Sequence, residues 1–226
     1  MPRLRKAKSS AAAGSSHRTK IVWASLLAAM TLVGGLLVML DDRPAPRASG
    51  ISLTPLVATG TTSTIDSIFN TEKPLATQRW TSIVIHHSKS VAGGPNSIEA
   101  EHRAQGLKGL GHHFIIGNGR GGEMADGELH LGYRWLAQLP GAHAVGPRGT
   151  ELNNHALSIC LVGDGSRQKF SRAQMARLNQ LVEALCAKLN IPAERVYLAS
   201  EVSNVKDPGP LFPESEFRAR LNAPKR

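Results

Sequence analysis

Cysteine is scarce in this chain, with two in 226 residues, Cys160 and Cys186. One falls in an apolar strand-like run and the other in a helical stripe, without metal-knuckle spacing. That argues for buried thiols rather than a disulfide framework, and it leaves the redox compartment open. Aromatic residues make up only 4% of the chain, although the formal charge is +10. No interleaving of basic and aromatic side chains appears, so a nucleic-acid surface is not expected. Acids are few, 17 against 27 basic residues. No internal repeat is present, which sets aside solenoids.

The positive charge is concentrated at the start. Residues 1–20 carry Arg3, Arg5, Lys6, Lys8, Arg18 and Lys20 and no acid, as a basic cytoplasmic tail would. Ile21 to Leu40 follows as a charge-free run, closed by Asp41-Asp42. Twenty helical residues at ~1.5 Å each match the ~30 Å hydrocarbon core of a bilayer. Basic residues before the run keep that end in the cytoplasm. No good small-x-small cleavage site follows Leu40, and Pro46-Arg47-Ala48 is a poor match. The expectation is an uncleaved transmembrane signal anchor over 21–40 in the cytoplasmic membrane, with the remainder exported to the cell-wall side. Residues 41–77 are rich in Pro, Ala, Ser, Thr and Gly and read as a flexible linker, with a short helix allowed at Ser63–Phe69.

Residues 78–226 carry the periodic signals of one domain. A folded part of about 145 residues buries roughly 70% of the surface of its unfolded chain, so no staple is needed. Ile83-Val84-Ile85 suits a strand buried on both faces. His112–Gly117, Glu128–Arg134 and Ala156–Val162 read as further strands. The glycine-rich run from Gly117 to Gly122 lacks the lysine and hydroxyl of a phosphate loop and reads as a hairpin turn. Ser97 is expected to cap a short helix ending at Gln105 and Gly106. Ser171 and Gln174 form a capping-box pattern ahead of a helix reaching Leu189, and Glu214–Leu221 reads as a last helix. Strands alternating with helices imply an α/β fold with a mixed central sheet covered by helices.

Chemistry-bearing residues fall in an ordered series. Ser82-Ile83-Val84-Ile85-His86-His87-Ser88 is followed by Gly111-His112-His113-Phe114 and then by Gly141-Ala142-His143-Ala144. Ser158 to Asp164 and Asp207-Pro208-Gly209-Pro210 complete it. In order and spacing, over roughly Arg79 to Leu221, the set resembles the zinc-dependent N-acetylmuramoyl-L-alanine amidases and peptidoglycan recognition proteins. The resemblance implies a zinc ion held by His86, a second histidine, and Asp207. The position of the second histidine reads Ala199 in Leu198-Ala199-Ser200-Glu201-Val202. Alanine cannot ligate a metal, and a catalytic zinc normally takes three protein ligands.

The same resemblance places His112 where the family has a catalytic tyrosine. There it stands as an oxyanion donor, a replacement ligand or a drifted residue. Lys206 lies one residue before Asp207, where family lysines that stabilise the tetrahedral intermediate lie two before; a solvated lysine is the alternative. His143 and Asn153 match substrate-rim positions. His87 and His113 are expected on the opposite faces of their strands and so to be structural, as is His102. Arg134 and Trp135 either contact sugar or pack, with packing the expectation.

Three readings stay open. One is hydrolysis of the amide between the lactyl group of muramic acid and L-alanine in peptidoglycan, through a zinc-activated water. Another is a metal-free peptidoglycan-binding module that keeps the fold. A structural envelope protein without a ligand is a third. The site assignment itself rests on the approach of His86 to Asp207, since a shared zinc needs their donors within about 5 Å, whereas metal content separates the hydrolase from the binding module.

Overall fold

The apolar alternation resolves into a single six-stranded sheet in the computed structural model, which describes residues 50–53 and 63–223. The strands are β1 (Gly50–Leu53), β2 (Ser82–His87), β3 (Phe114–Asn118), β4 (Asp126–Gly132), β5 (Ala156–Leu161) and β6 (Val196–Leu198). Their order across the sheet is β1-β4-β3-β5-β2-β6. β3, β5, β2 and β6 run parallel, while β4 is antiparallel to both β3 and β1, so the sheet is mixed as expected.

Helices fill the crossovers. They are α1 (Ser63–Asp66), running into a 3₁₀ turn at Ser67–Phe69, then α2 (Pro95–Ala104), α3 (Tyr133–Leu136) and α4 (Gly149–His155). After these come α5 (Arg172–Leu189), α6 (Ala199–Val202) and α7 (Glu214–Leu221). The Ser171 hydroxyl accepts the Gln174 N–H at 3.0 Å and the Gln174 side chain accepts the Ser171 N–H at 3.1 Å, closing the expected capping box of α5. The helix stops at Asn190, which adopts the left-handed conformation with φ 55°.

Strand parity divides the interior. Ile83 and Ile85 of β2 and Leu157, Ile159 and Leu161 of β5 join Leu178, Leu181, Val182 and Leu185 of α5 in the main core. Val84, Ile115, Cys160 and Val162 fall in two smaller clusters. Cys160 and Cys186 are both buried and in no disulfide, as their setting implied, and burial pushes the Cys160 thiol well up.

Several boundaries differ from the sequence reading. Helix α2 is capped at Gly94, because Pro95 supplies a preformed first turn; Ser97 instead accepts the Gly94 N–H at 2.8 Å from within the helix. The chain is still bending at His113, so β3 starts two residues later than expected. Strand β4 ends at Gly132, whose backbone runs against the His112 carbonyl, where an added Cβ would lie 2.8 Å from it. Tyr133–Leu136 then turns into α3 and buries Trp135.

The packed domain also begins before residue 78. Ile65 and Ile68 are core residues, and β1 pairs with β4 inside the span read as linker. The basic tail at 1–20 and the transmembrane span at 21–40 lie outside the described residues. Among the described residues, no helix is long and apolar enough to cross a membrane.

Candidate active-site cleft

The carboxyl ends of the parallel strands open into a cleft of about 410 Å³ on the face away from α5. In an open sheet this is where a ligand is expected, because strand ends leave side chains and backbone groups free of the ladder. His86, His112, His143, Asn153, Ala199 and Asp207 all line it.

His86 sits at the centre. It shares the strand face of Val84, and its ring lies between two partners: Asp207 Oδ2 at 3.1 Å from Nδ1, and His143 Nδ1 at 3.1 Å from Nε2. Asp207, 121 residues away in sequence, is thereby brought well inside the 5 Å that a shared zinc requires. Its other oxygen accepts the His87 backbone N–H at 2.7 Å.

The turn that aims Asp207 is held by backbone-to-backbone contact. An added Cβ at Gly165 would lie 2.0 Å from the Pro208 carbonyl oxygen, so only glycine lets these loops meet. Gly209, with φ 94°, lies equally close to Gly165 and occupies the left-handed region that glycine favours. The His87 ring points away from His86 and accepts the Gly165 N–H at 2.9 Å, which ties the same loop to β2.

His143 rides on the segment between α3 and α4. Asn153 of α4 holds that segment: its Oδ1 accepts the N–H groups of His143 at 2.9 Å and Ala144 at 3.0 Å, while its Nδ2 donates to the Ala144 carbonyl at 2.9 Å. The Asn153 amide is therefore engaged by the protein itself, although the residue borders the cleft. Gly141 gives the His143 ring its space, since a Cβ there would lie 2.5 Å from His143 Cδ2. Burial, and secondly the nearby His86, hold His143 well below the usual histidine range.

His112 precedes β3 and turns into the cleft. Its ring centroid is 5.1 Å from that of His86, and its Nδ1 is 3.3 Å from the Ser158 hydroxyl. Burial first, and then the neighbouring His86, hold His112 well below the usual histidine range as well. His113 packs edge-on against Trp80 at 4.9 Å, and its Nε2 donates to the Leu139 carbonyl at 3.1 Å. Desolvation lowers its pKa to about 3. His102 accepts the Gly111 N–H at 2.9 Å and borders the cleft from α2.

Lys206 is exposed and does not line the cleft, whereas its neighbours Val205 and Asp207 do. Arg134 is tied to the Leu110 and Pro140 carbonyls, both at 2.6 Å, and Trp135 is fully buried; both serve packing.

The zinc implied by the resemblance can be tested against these donors. Ala199, where the resemblance would put the second histidine, is 1% exposed at the first turn of α6 and lines the cleft. His86 has both ring nitrogens in hydrogen bonds. Among the described residues, no three His, Cys, Asp or Glu side chains are grouped to hold a metal. The donor set does not fit a three-ligand zinc.

Sequence reasoning did not anticipate four residues of the rim. Lys89 adopts φ 59°, Glu101 projects from α2, and Val145 is 77% exposed, with Val205 nearby on the wall. Val145 lies in a Gly/Pro-rich segment, and a lone apolar residue in such a segment is the one local signal that marks it.

Comparison with known proteins fits this geometry. A family model described as N-acetylmuramoyl-L-alanine amidase matches residues 76–210. The endolysin N-acetylmuramoyl-L-alanine amidase LysCS from Clostridium intestinale is 28% identical, with a TM-score of 0.55 over 68% of this chain and 91% of that one. The Apis mellifera peptidoglycan recognition protein SA has 20% identity and a TM-score of 0.50, covering 61% of this chain and 81% of its own. Drosophila peptidoglycan recognition protein SD has 15% identity and a TM-score of 0.50 over 73% and 87% of the two chains; these last two share the fold. A search of curated proteins gave no match.

Proposed function

We propose, for a chain that belongs to the N-acetylmuramoyl-L-alanine amidase family, that the cleft receives peptidoglycan at the junction of muramic acid and L-alanine. The reading is of a binding module that keeps the amidase fold without the family's zinc shell. A single observation carries it: Ala199 stands in the cleft wall while His86 gives both of its nitrogens to protein partners. Function belongs to the site rather than the scaffold, so the altered donor set outweighs the family's usual chemistry.

The cleft suits such a ligand. Ala142, Ala144, Val145, Ala199 and Val205 supply a low apolar surface for the lactyl and alanyl methyl groups. Lys89 and Glu101 add one charge of each sign at the rim, which complements a peptide bearing both carboxylate and ammonium groups.

Hydrolysis of the same amide is the second reading, favoured by the 28% identity to an amidase over nearly that enzyme's whole length. The two separate in one experiment. Purified protein is incubated with intact peptidoglycan, with and without a chelator, and both sedimentation of bound protein and release of free stem peptide are measured. Binding that persists in chelator without peptide release supports the module. Peptide release abolished by chelator establishes the hydrolase.

A further inference from the structure

Three loops leave the carboxyl ends of β2, β3 and β5 beside the cleft, and hydrogen bonds stitch them into one shelf. The Ser88 hydroxyl accepts the Gly163 N–H at 3.0 Å, which joins the loop after β2 to the loop after β5. Asn118 Nδ2 donates to the Val91 carbonyl at 3.0 Å and the Gly93 N–H to the Arg120 carbonyl at 3.1 Å, so the β3–β4 hairpin is bound to the first loop. Arg120 Nη1 donates to Gln168 Oε1 at 2.8 Å and closes the set.

The shelf carries four exposed cations, Lys89, Arg120, Arg167 and Lys169. Its carboxylates are committed to the protein. Asp164 Oδ1 accepts the Ser166 N–H at 3.0 Å and the Ser166 hydroxyl at 2.5 Å, and Arg167 influences it less than these bonds do. Glu123 accepts the N–H groups of Asn96 at 2.7 Å and Ser97 at 3.2 Å at the start of α2. Among the described residues, none of the four cations lies within ion-pair distance of a carboxylate. Arg103, Arg148, Arg218 and Arg220, on other surfaces, each meet one. Lys89 also lines the cleft, so the shelf is continuous with it.

We propose that the shelf is a second contact surface for peptidoglycan, taking the free carboxylates of peptide stems next to the one held in the cleft. Charge and continuity carry the assignment. A polymer seated in the cleft runs out past Lys89 onto the shelf, and the oxyanions that peptidoglycan repeats along its length are carboxylates. Guanidinium groups suit that chemistry, because their fork of N–H donors matches a carboxylate. Exposed ion pairs are weak singly, so the shelf acts by number. It raises affinity for the polymer and leaves affinity for a single muropeptide as the cleft sets it. The inference rests on the peptidoglycan reading of the cleft.

The test compares the full wild-type chain with the triple variant Arg120→Gln/Arg167→Gln/Lys169→Gln; Lys89 is kept because it lines the cleft. A second variant, Arg120→Lys/Arg167→Lys, preserves the charge. Binding is measured to intact peptidoglycan, to peptidoglycan with its carboxylates amidated, to polyglutamate, and to N-acetylmuramoyl-L-alanyl-D-isoglutamine. At low salt the triple variant should bind intact peptidoglycan on the order of tenfold more weakly, the loss expected for three exposed ion pairs. Its muropeptide affinity should be unchanged, and the lysine variant should bind both ligands as wild type does. The difference should close at about 1 M salt, where charges are screened beyond ~3 Å, and on amidated peptidoglycan.

Equal binding of intact peptidoglycan by wild type and triple variant would overturn the inference. So would an equal loss on the muropeptide, since the loops would then merely support the cleft. If stripping phosphodiester polymers from the wall closes the difference while amidation does not, the partner is a phosphate polymer and the proposal fails. Salt-sensitive binding to polyglutamate that the triple variant loses, without any muropeptide binding, would uphold the carboxylate surface and remove the reading of the cleft.

Discussion

Ile83, Ile85, Leu157, Ile159 and Leu161 project from the sheet toward α5, while Val84, His86, Ser158 and Cys160 alternate with them toward the other face. On the α5 side the contacts are mainly apolar, with a few directed bonds such as Gln174 to the Val162 carbonyl, and most of the stabilisation comes from area removed from water. On the cleft side the apolar clusters are small, and imidazoles, a carboxylate and a hydroxyl are held by directed bonds. The same strands thus carry a face that sets stability and a face that carries the proposed binding site. Damage to the first should be read in melting, and damage to the second in ligand binding.

The largest expected effect tests the packed face. Trp135→Ala removes a fully buried ring and its 2.7 Å bond to the Ile68 carbonyl. Chemical denaturation should show a loss of about 3–5 kcal/mol. Binding measured well below the new transition should be little changed, and a specific loss of binding there would break the separation of faces.

Acid should act next, through His113. Its folded pKa of about 3 lies below the ordinary histidine value of 6.5, so protonation favours the unfolded chain. The stabilisation is complete above pH 6.5 and is lost as the pH falls toward about 3, at ~1.4 kcal/mol per pH unit for this one group. Unfolding free energy between pH 7 and pH 4 should fall with at least that slope, since His112 and His143 are lowered in the same direction, and more gently in His113→Gln. Equal slopes would mean that other groups dominate.

Ala199→His sharpens the contrast on the cleft side. Without metal, an imidazole at a position that is 1% exposed should cost about 1–3 kcal/mol by overpacking. With zinc present the added ligand should reverse that loss, which melting curves with and without zinc would show. A variant indifferent to zinc would show that the His86–His143 link outcompetes the metal even with three ligands available.

Val145→Ser should have the smallest effect on stability, within about 0.5 kcal/mol, because the side chain is 77% exposed. Muramoyl-peptide affinity should still fall. Unchanged affinity would remove Val145 from the recognition surface.

Much of this architecture was legible in the chain. The buried strands β2 and β5, the capping box of α5, and α7 follow from local periodicity and capping chemistry, which nearby residues decide. The approach of His86 to Asp207 was accessible through motif resemblance. Short elements were not legible. β1, β6, α4 and α6 are three to seven residues long, too brief for a periodic signal, and they exist because neighbouring strands and loops satisfy their backbones.

The site divides along the same line. The residues alone determined which donors were available: the imidazoles, one carboxylate, and a methyl group where a ligand was expected. Tertiary structure decided how they are joined. It turned Lys206 to solvent, used Asn153 to hold a loop, and set His143 against His86 across 57 residues of sequence. No local pattern encodes that contact, because it depends on Gly141 giving the ring room and on Asp207 orienting His86 from the far side of the cleft. Bond direction at a given atom is set by the groups that surround it, and only the folded chain brings those groups together.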